Sequence, residues 1–170
     1  MRQVALPLSL TLVVLAALAQ TTVFGEGSIQ PLGASPAIVT LVVIAVVRHL
    51  DPEPALLVAF TAGLLMDLLG GSPLGLWALA LTTVGYLTVR LRHHADRGLL
   101  LVAVGIFAFT FLGNALFSIA GTLFGQRTLT DPDVIDLMVL PALYTMILGA
   151  AVLPGTAKLL LRNREAAWKP

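Results

Sequence analysis

Six apolar runs, parted by short polar breaks, organise this chain of 170 residues. A helix that crosses a bilayer needs about 20 apolar residues, and roughly 17–25 is the usual range. The first run, Val4 to Phe24, has that length and follows Met1-Arg2-Gln3. Its Ala17-Leu18-Ala19 imitates a signal-peptidase site. The apolar character continues past Ala19, and a single Arg is a thin basic head, so the run is read as a retained helix. The second run, residues 34–47, stops at Arg48-His49 and is short for a span. It requires local bilayer thinning, burial against neighbours or an earlier start. Runs three and four cover residues 54–69 and 73–91. Pro54 and Pro73 suit first helical positions, and Gly70-Gly71-Ser72 makes the turn between them. The fifth and sixth cover residues 98–124 and 134–153, and a basic tail occupies residues 156–170. The pattern predicts an all-α fold, a polytopic membrane bundle of six transmembrane helices, with residues 1–170 forming a single integral membrane domain.

Composition sharpens the solvent. Charged residues are 11% of the chain and hydrophobic ones 58%, whereas a soluble domain carries about a quarter charged residues. Lipid is therefore the first partner. Six spans place Arg2, Arg48, Arg90, Arg92, Arg97, Lys158, Arg162, Arg164 and Lys169 on one side and only Arg127 on the other. Lys and Arg gather on the cytoplasmic side of membrane proteins, so both termini are expected in the cytoplasm. The corner at Asp67 and the loop with Asp131 and Asp133 then face outward. The chain has no cysteine, which excludes disulfides and thiolate chemistry. No basic face interleaved with aromatics exists outside the spans, which argues against nucleic acid.

Asp67 is the acidic residue set inside an otherwise uncharged span, and Gly63, Gly70, Gly71, Pro73 and Gly75 surround it. Two readings suit it: a carboxylate accepting N–H groups from the following turn or the next helix start, or a pin orienting the hairpin for a partner. A proton relay would need a second acid, a His or a Lys at helical spacing, and none is there. Ala55, Ala59 and Gly63 recur every four residues, a small-residue pattern that lets helices approach closely. Asn114 and Ser118, with Thr110 and Thr122, make a polar stripe on the fifth span. Both stripes suit packing within the bundle or docking of a partner's membrane helix. His49, His93 and His94 lie in loops beside arginines, without the convergent ligands of a metal site. No nucleophile elbow, His-Glu-x-x-His or phosphate-binding loop occurs. No enzyme activity, cofactor or metal is expected.

The stretch from Phe60 to Tyr86 resembles the rod shape-determining protein MreD family. The matching positions are Gly63, Leu64, Leu65, Asp67, Pro73, Leu74, Gly75, Gly85 and Tyr86. That resemblance implies a non-enzymatic scaffold in the bacterial inner membrane, part of the machinery that elongates peptidoglycan and maintains rod shape. It implies an MreC-like bitopic partner, with MreB, the glycosyltransferase RodA and a class B penicillin-binding protein as further associates. It also implies a fold similar to the substrate-binding subunits of energy-coupling-factor transporters. The rival function is such a vitamin-binding subunit. Against it, the first span lacks the Ala-x-x-x-Ala docking pattern of those subunits, and the outward halves lack a dense polar and aromatic set.

Overall fold

The computed structural model describes residues 5–23, 35–95, 99–125 and 138–149, and all regular structure among them is helical. The helices are α1 (Ala5–Val23), α2 (Ile38–Val47), α3 (Pro52–Gly70), α4 (Leu76–Ala95), α5 (Leu99–Leu123) and α6 (Met138–Gly149). Each falls on one of the six apolar runs. Three of them, α1, α3 and α5, are long and apolar enough to cross a membrane. Asp131 and Asp133, expected on the outer side, and the tail 156–170 lie outside the described residues.

Three helix starts differ from the sequence expectation. α3 begins at Pro52, two residues before Pro54. Asp51 is extended (ψ 157) as its N-cap, as a residue preceding proline tends to be. Both prolines fall in the first turn, whose N–H groups have no partner within the helix in any case. α4 begins at Leu76, not Pro73, for a reason given below. α2 begins at Ile38 rather than residue 34, after a non-helical stretch in which Pro36 and Ala37 are buried.

That last difference sets the centre of the bundle. At about 1.5 Å per residue, the 10 residues of α2 span about 15 Å, half a typical hydrocarbon core. Burial compensates for shortness: eight of its residues are buried, from Val39 to Val47. One apolar cluster joins Val13 and Ala17 of α1, Val43 and Val47 of α2, Val58 and Ala62 of α3, and Leu81 of α4. A second joins Leu41 and Ile44 of α2, Val84 of α4 and Ile106 of α5. α2 contributes to both, so the remaining helices surround it. Outward-facing apolar residues such as Leu15, Leu57, Leu79, Val104 and Ile147 are exposed, as expected of a bundle whose outer solvent is lipid.

Neighbouring helices run antiparallel. Gly63 meets Ala78 while Ala59 meets Gly85, which opposes α3 and α4. Trp77 meets Phe117 while Val84 meets Gly113, which opposes α4 and α5. α6 instead lies parallel to α2, since Ala37 pairs with Thr145 and Leu41 lies beside Gly149.

Candidate functional site

The corner between α3 and α4 is built on one carboxylate. Asp67, one turn before the end of α3, is 2% exposed. Its Oδ2 accepts from the Gly75 N–H at 2.8 Å and the Ala78 N–H at 3.3 Å. Its Oδ1 accepts from the Trp77 N–H at 3.0 Å and from the Ser72 hydroxyl at 2.9 Å. The first turn of a helix leaves such N–H groups without internal partners. An Asp immediately before the helix usually takes one of them. Here an Asp from the preceding helix takes three, and its negative charge sits against the positive end of the α4 dipole.

This explains the late start of α4. Pro73 is pre-organised for a first helical position, but the chain must turn once more to aim the Gly75 amide at Asp67. Gly75 does so at φ 103, and Gly71 closes α3 at φ 66. Both are left-handed values that cost a residue with a Cβ about 1–2 kcal/mol. Gly70 is the last residue of α3, with open space around it and no such constraint.

Gly63 has a different role, since it brings the α4 backbone against α3. A Cβ added there would overlap Ala78 Cα and the Trp77 carbonyl and lie 2.5 Å from the Ala78 nitrogen. One turn earlier, a Cβ on Gly85 would lie 2.7 Å from the Ala59 Cβ. Ala55 and Ala59 are fully buried. The small-residue stripe of α3 therefore lies inside the bundle, covered by α4, and offers no open groove to a partner's helix.

Asn114 and Ser118 are not part of this corner. They lie on α5, half-buried, beside a face that carries the fully buried Ile106 and Thr110 toward the core. The Thr110 hydroxyl is buried without a hydrogen-bond partner among the described residues. α5 reaches the corner through Phe117, whose ring stacks on Trp77 at 4.4 Å. Trp77 thus ties three helices: its N–H to α3, its ring to α5, its backbone in α4.

A second device of the same type was not expected from the sequence. The Ala37 N–H donates to the Thr145 hydroxyl of α6, and the Val39 N–H donates to the Gln20 side-chain oxygen of α1, both at 2.9 Å. The start of α2 is thus capped by two other helices. The available signal was the amide side chain of Gln20 in the first apolar span and the hydroxyl of Thr145 in the sixth. Thr145 also has a local partner, since its hydroxyl donates to the Pro141 carbonyl at 2.6 Å while accepting from the Ala37 N–H.

These groups accept and donate hydrogen bonds to the bundle's own backbone. Their geometry fixes helices relative to one another. The family model described as rod shape-determining protein MreD matches residues 1–151. No curated protein and no solved structure matches the chain.

Proposed function

The chain belongs to the MreD family of rod shape-determining proteins, and from that premise we propose that it is a non-enzymatic scaffold of the cell-wall elongation machinery. In this reading it holds an MreC-like bitopic protein in the bacterial cell membrane, alongside MreB, RodA and a class B penicillin-binding protein. Both its termini lie in the cytoplasm, on the side of nine of its ten Lys and Arg residues. The family match over nearly the whole chain carries the reading.

The bundle also narrows where a partner helix would lie. Gly63, Ala55, Ala59 and Asp67 are buried, which supports a role in shaping the hairpin rather than in touching a partner. The flank of α5 bearing Asn114 and Ser118 is half-open. An amide in lipid gains about 1–2 kcal/mol at most from an interhelical hydrogen bond, so packing does most of the work and Asn114 sets the register. The test is co-purification of the MreC-like partner from membranes. Asn114→Leu is expected to lower recovery of partner about fivefold, with unchanged accumulation and melting of the variant itself. Wild-type recovery overturns the α5 docking face. Depletion of the protein is expected to round rod-shaped cells, and retention of rod shape overturns the scaffold reading.

A further inference from the structure

The outward side of α4 carries Leu79, Thr83, Tyr86 and Arg90 in succession. Spacings of three and four residues place them one above another on a single helix face. Leu79 is 55% exposed and Tyr86 47% exposed, and Arg90 is exposed as well. The opposite side, with Leu81, Val84, Gly85 and Thr88, is buried. The stripe therefore faces lipid, and Arg90 marks its end.

Side chains on a helix lean toward the helix's own N-terminus. For Arg90, near the C-terminus of α4, that direction is back toward the apolar stripe and away from the following loop. The structure shows this lean: Arg90 Nη1 donates to the Tyr86 hydroxyl at 3.0 Å, one turn deeper. A long cationic side chain at a membrane boundary ordinarily extends its head to water. Here the guanidinium is held instead by its hydrogen bond to the phenol hydroxyl. Arg has five N–H donors in a planar fork, of which Tyr86 engages one. The Tyr86 hydroxyl, having accepted from Arg90, still has its own proton to donate. The two groups together present convergent donors and one positive charge at a lipid-facing boundary, an arrangement matched to a phosphate.

We propose that Tyr86 and Arg90 form a site for the phosphate of an anionic phospholipid headgroup, with an acyl chain lying along Leu79. A lipid fits better than a free anion because the apolar stripe continues directly from the donors into the hydrocarbon. The charge of the surroundings agrees, since Arg90 belongs to the side that gathers nine of the ten Lys and Arg residues. Anionic lipids concentrate where such residues do. The inference rests on the membrane-spanning reading of the bundle and is independent of any MreC-like partner.

The test is lipid retention by the full chain in mild detergent, with phosphatidylglycerol and phosphatidylcholine offered in equal amounts and bound lipids counted by native mass spectrometry. Phosphatidylcholine carries the same phosphate but its choline cation cancels the charge, so wild type is expected to retain phosphatidylglycerol about fivefold over it, the scale of one basic residue's attraction to an anionic lipid. Arg90→Ala is expected to abolish that preference and Tyr86→Phe to reduce it severalfold. Arg90→Lys, which keeps the charge but loses the fork, should fall between Arg90→Ala and wild type. Both positions are exposed, so the variants should melt as wild type does. Equal retention of the two lipids by wild type overturns the proposal. So does a full preference in both Arg90→Ala and Tyr86→Phe. Displacement of the lipid by millimolar inorganic phosphate would show a free-anion site and would overturn the lipid assignment.

Discussion

Replacing Gly63 by Ala adds one methyl group, and its consequence follows from how closely the α4 backbone approaches Gly63. The new Cβ would overlap Ala78 Cα and the Trp77 carbonyl. These are backbone atoms, so no rotamer change relieves the overlap. Restoring a separation of roughly 3.5 Å requires the two helices to part by on the order of 1 Å. That motion carries the Trp77 and Ala78 amides away from Asp67. The Ala78 bond is already 3.3 Å long and is lost first, and the Trp77 bond at 3.0 Å stretches beyond bonding range. Each hydrogen bond to a charged group contributes about 1.5–3 kcal/mol, so the two together amount to about 3–6 kcal/mol. Against a typical total of about 5–15 kcal/mol, that is a large fraction. The melting temperature should fall by on the order of 10 °C, followed in detergent by tryptophan emission, to which Trp77 contributes from its stack on Phe117.

The same reasoning makes a stricter demand. Asp67→Asn removes the charge and turns an amide donor toward the N–H groups that Asp67 accepts, so it should destabilise by about 2–4 kcal/mol. If Gly63→Ala already breaks those bonds, the double variant should be little worse than Gly63→Ala alone, a coupling expected of neighbours. Additive losses, or a Gly63→Ala variant that melts with wild type, would refute the account of the corner.

Two further outcomes concern the helix ends. Gln20→Leu and Thr145→Val each remove one acceptor from the start of α2 and should cost about 1–3 kcal/mol. Faster hydrogen exchange at the Val39 and Ala37 amides respectively is the local readout, and unchanged protection at those amides would contradict the capping assignment. The neighbouring glycines Gly70 and Gly71 should respond oppositely to alanine. Gly71→Ala loses about 1–2 kcal/mol from its left-handed backbone, while Gly70→Ala, helical with open space, should be neutral or gain up to about 1 kcal/mol. Paired thermal melts of the two variants distinguish these directions.

Much of the fold was legible because lipid imposes a coarse code. An apolar run of the right length is a helix, and Gly-Gly-Ser-Pro is a corner. Asp67 was legible as a polar group needing partners, since a carboxylate in such a span must be satisfied. Its partners were less so. Local capping rules look one to three residues ahead, whereas the Asp67 carboxylate reaches 8 to 11 residues along the chain. The proline signal at Pro73 therefore pointed to a helix start three residues early. Gln20 to Val39 and Thr145 to Ala37 span 19 and 108 residues, and no local pattern encodes either. The stripe of Ala55, Ala59 and Gly63 was visible, but small residues suit an internal neighbour and an external one equally. Only the position of α4 decides between them.

Capping from a distance has a physical cause that bears on function. A helix start in hydrocarbon has no water to satisfy its N–H groups, and each unsatisfied group costs several kcal/mol. A short loop supplies few acceptors, so α2 and α4 draw theirs from α1, α6 and α3. The polar groups most conspicuous in the sequence are thereby engaged within the bundle, and on the scaffold reading proposed above a partner would meet its lateral faces. Loss of partner binding in an Asp67 variant is then a secondary effect of a loosened hairpin. Melting and co-purification measured on the same samples separate the cases: Asp67→Asn should lose stability and partner together, and Asn114→Leu should lose partner alone. An Asp67→Asn variant that melts normally yet fails to hold the partner would place Asp67 in direct contact with it and contradict its buried geometry.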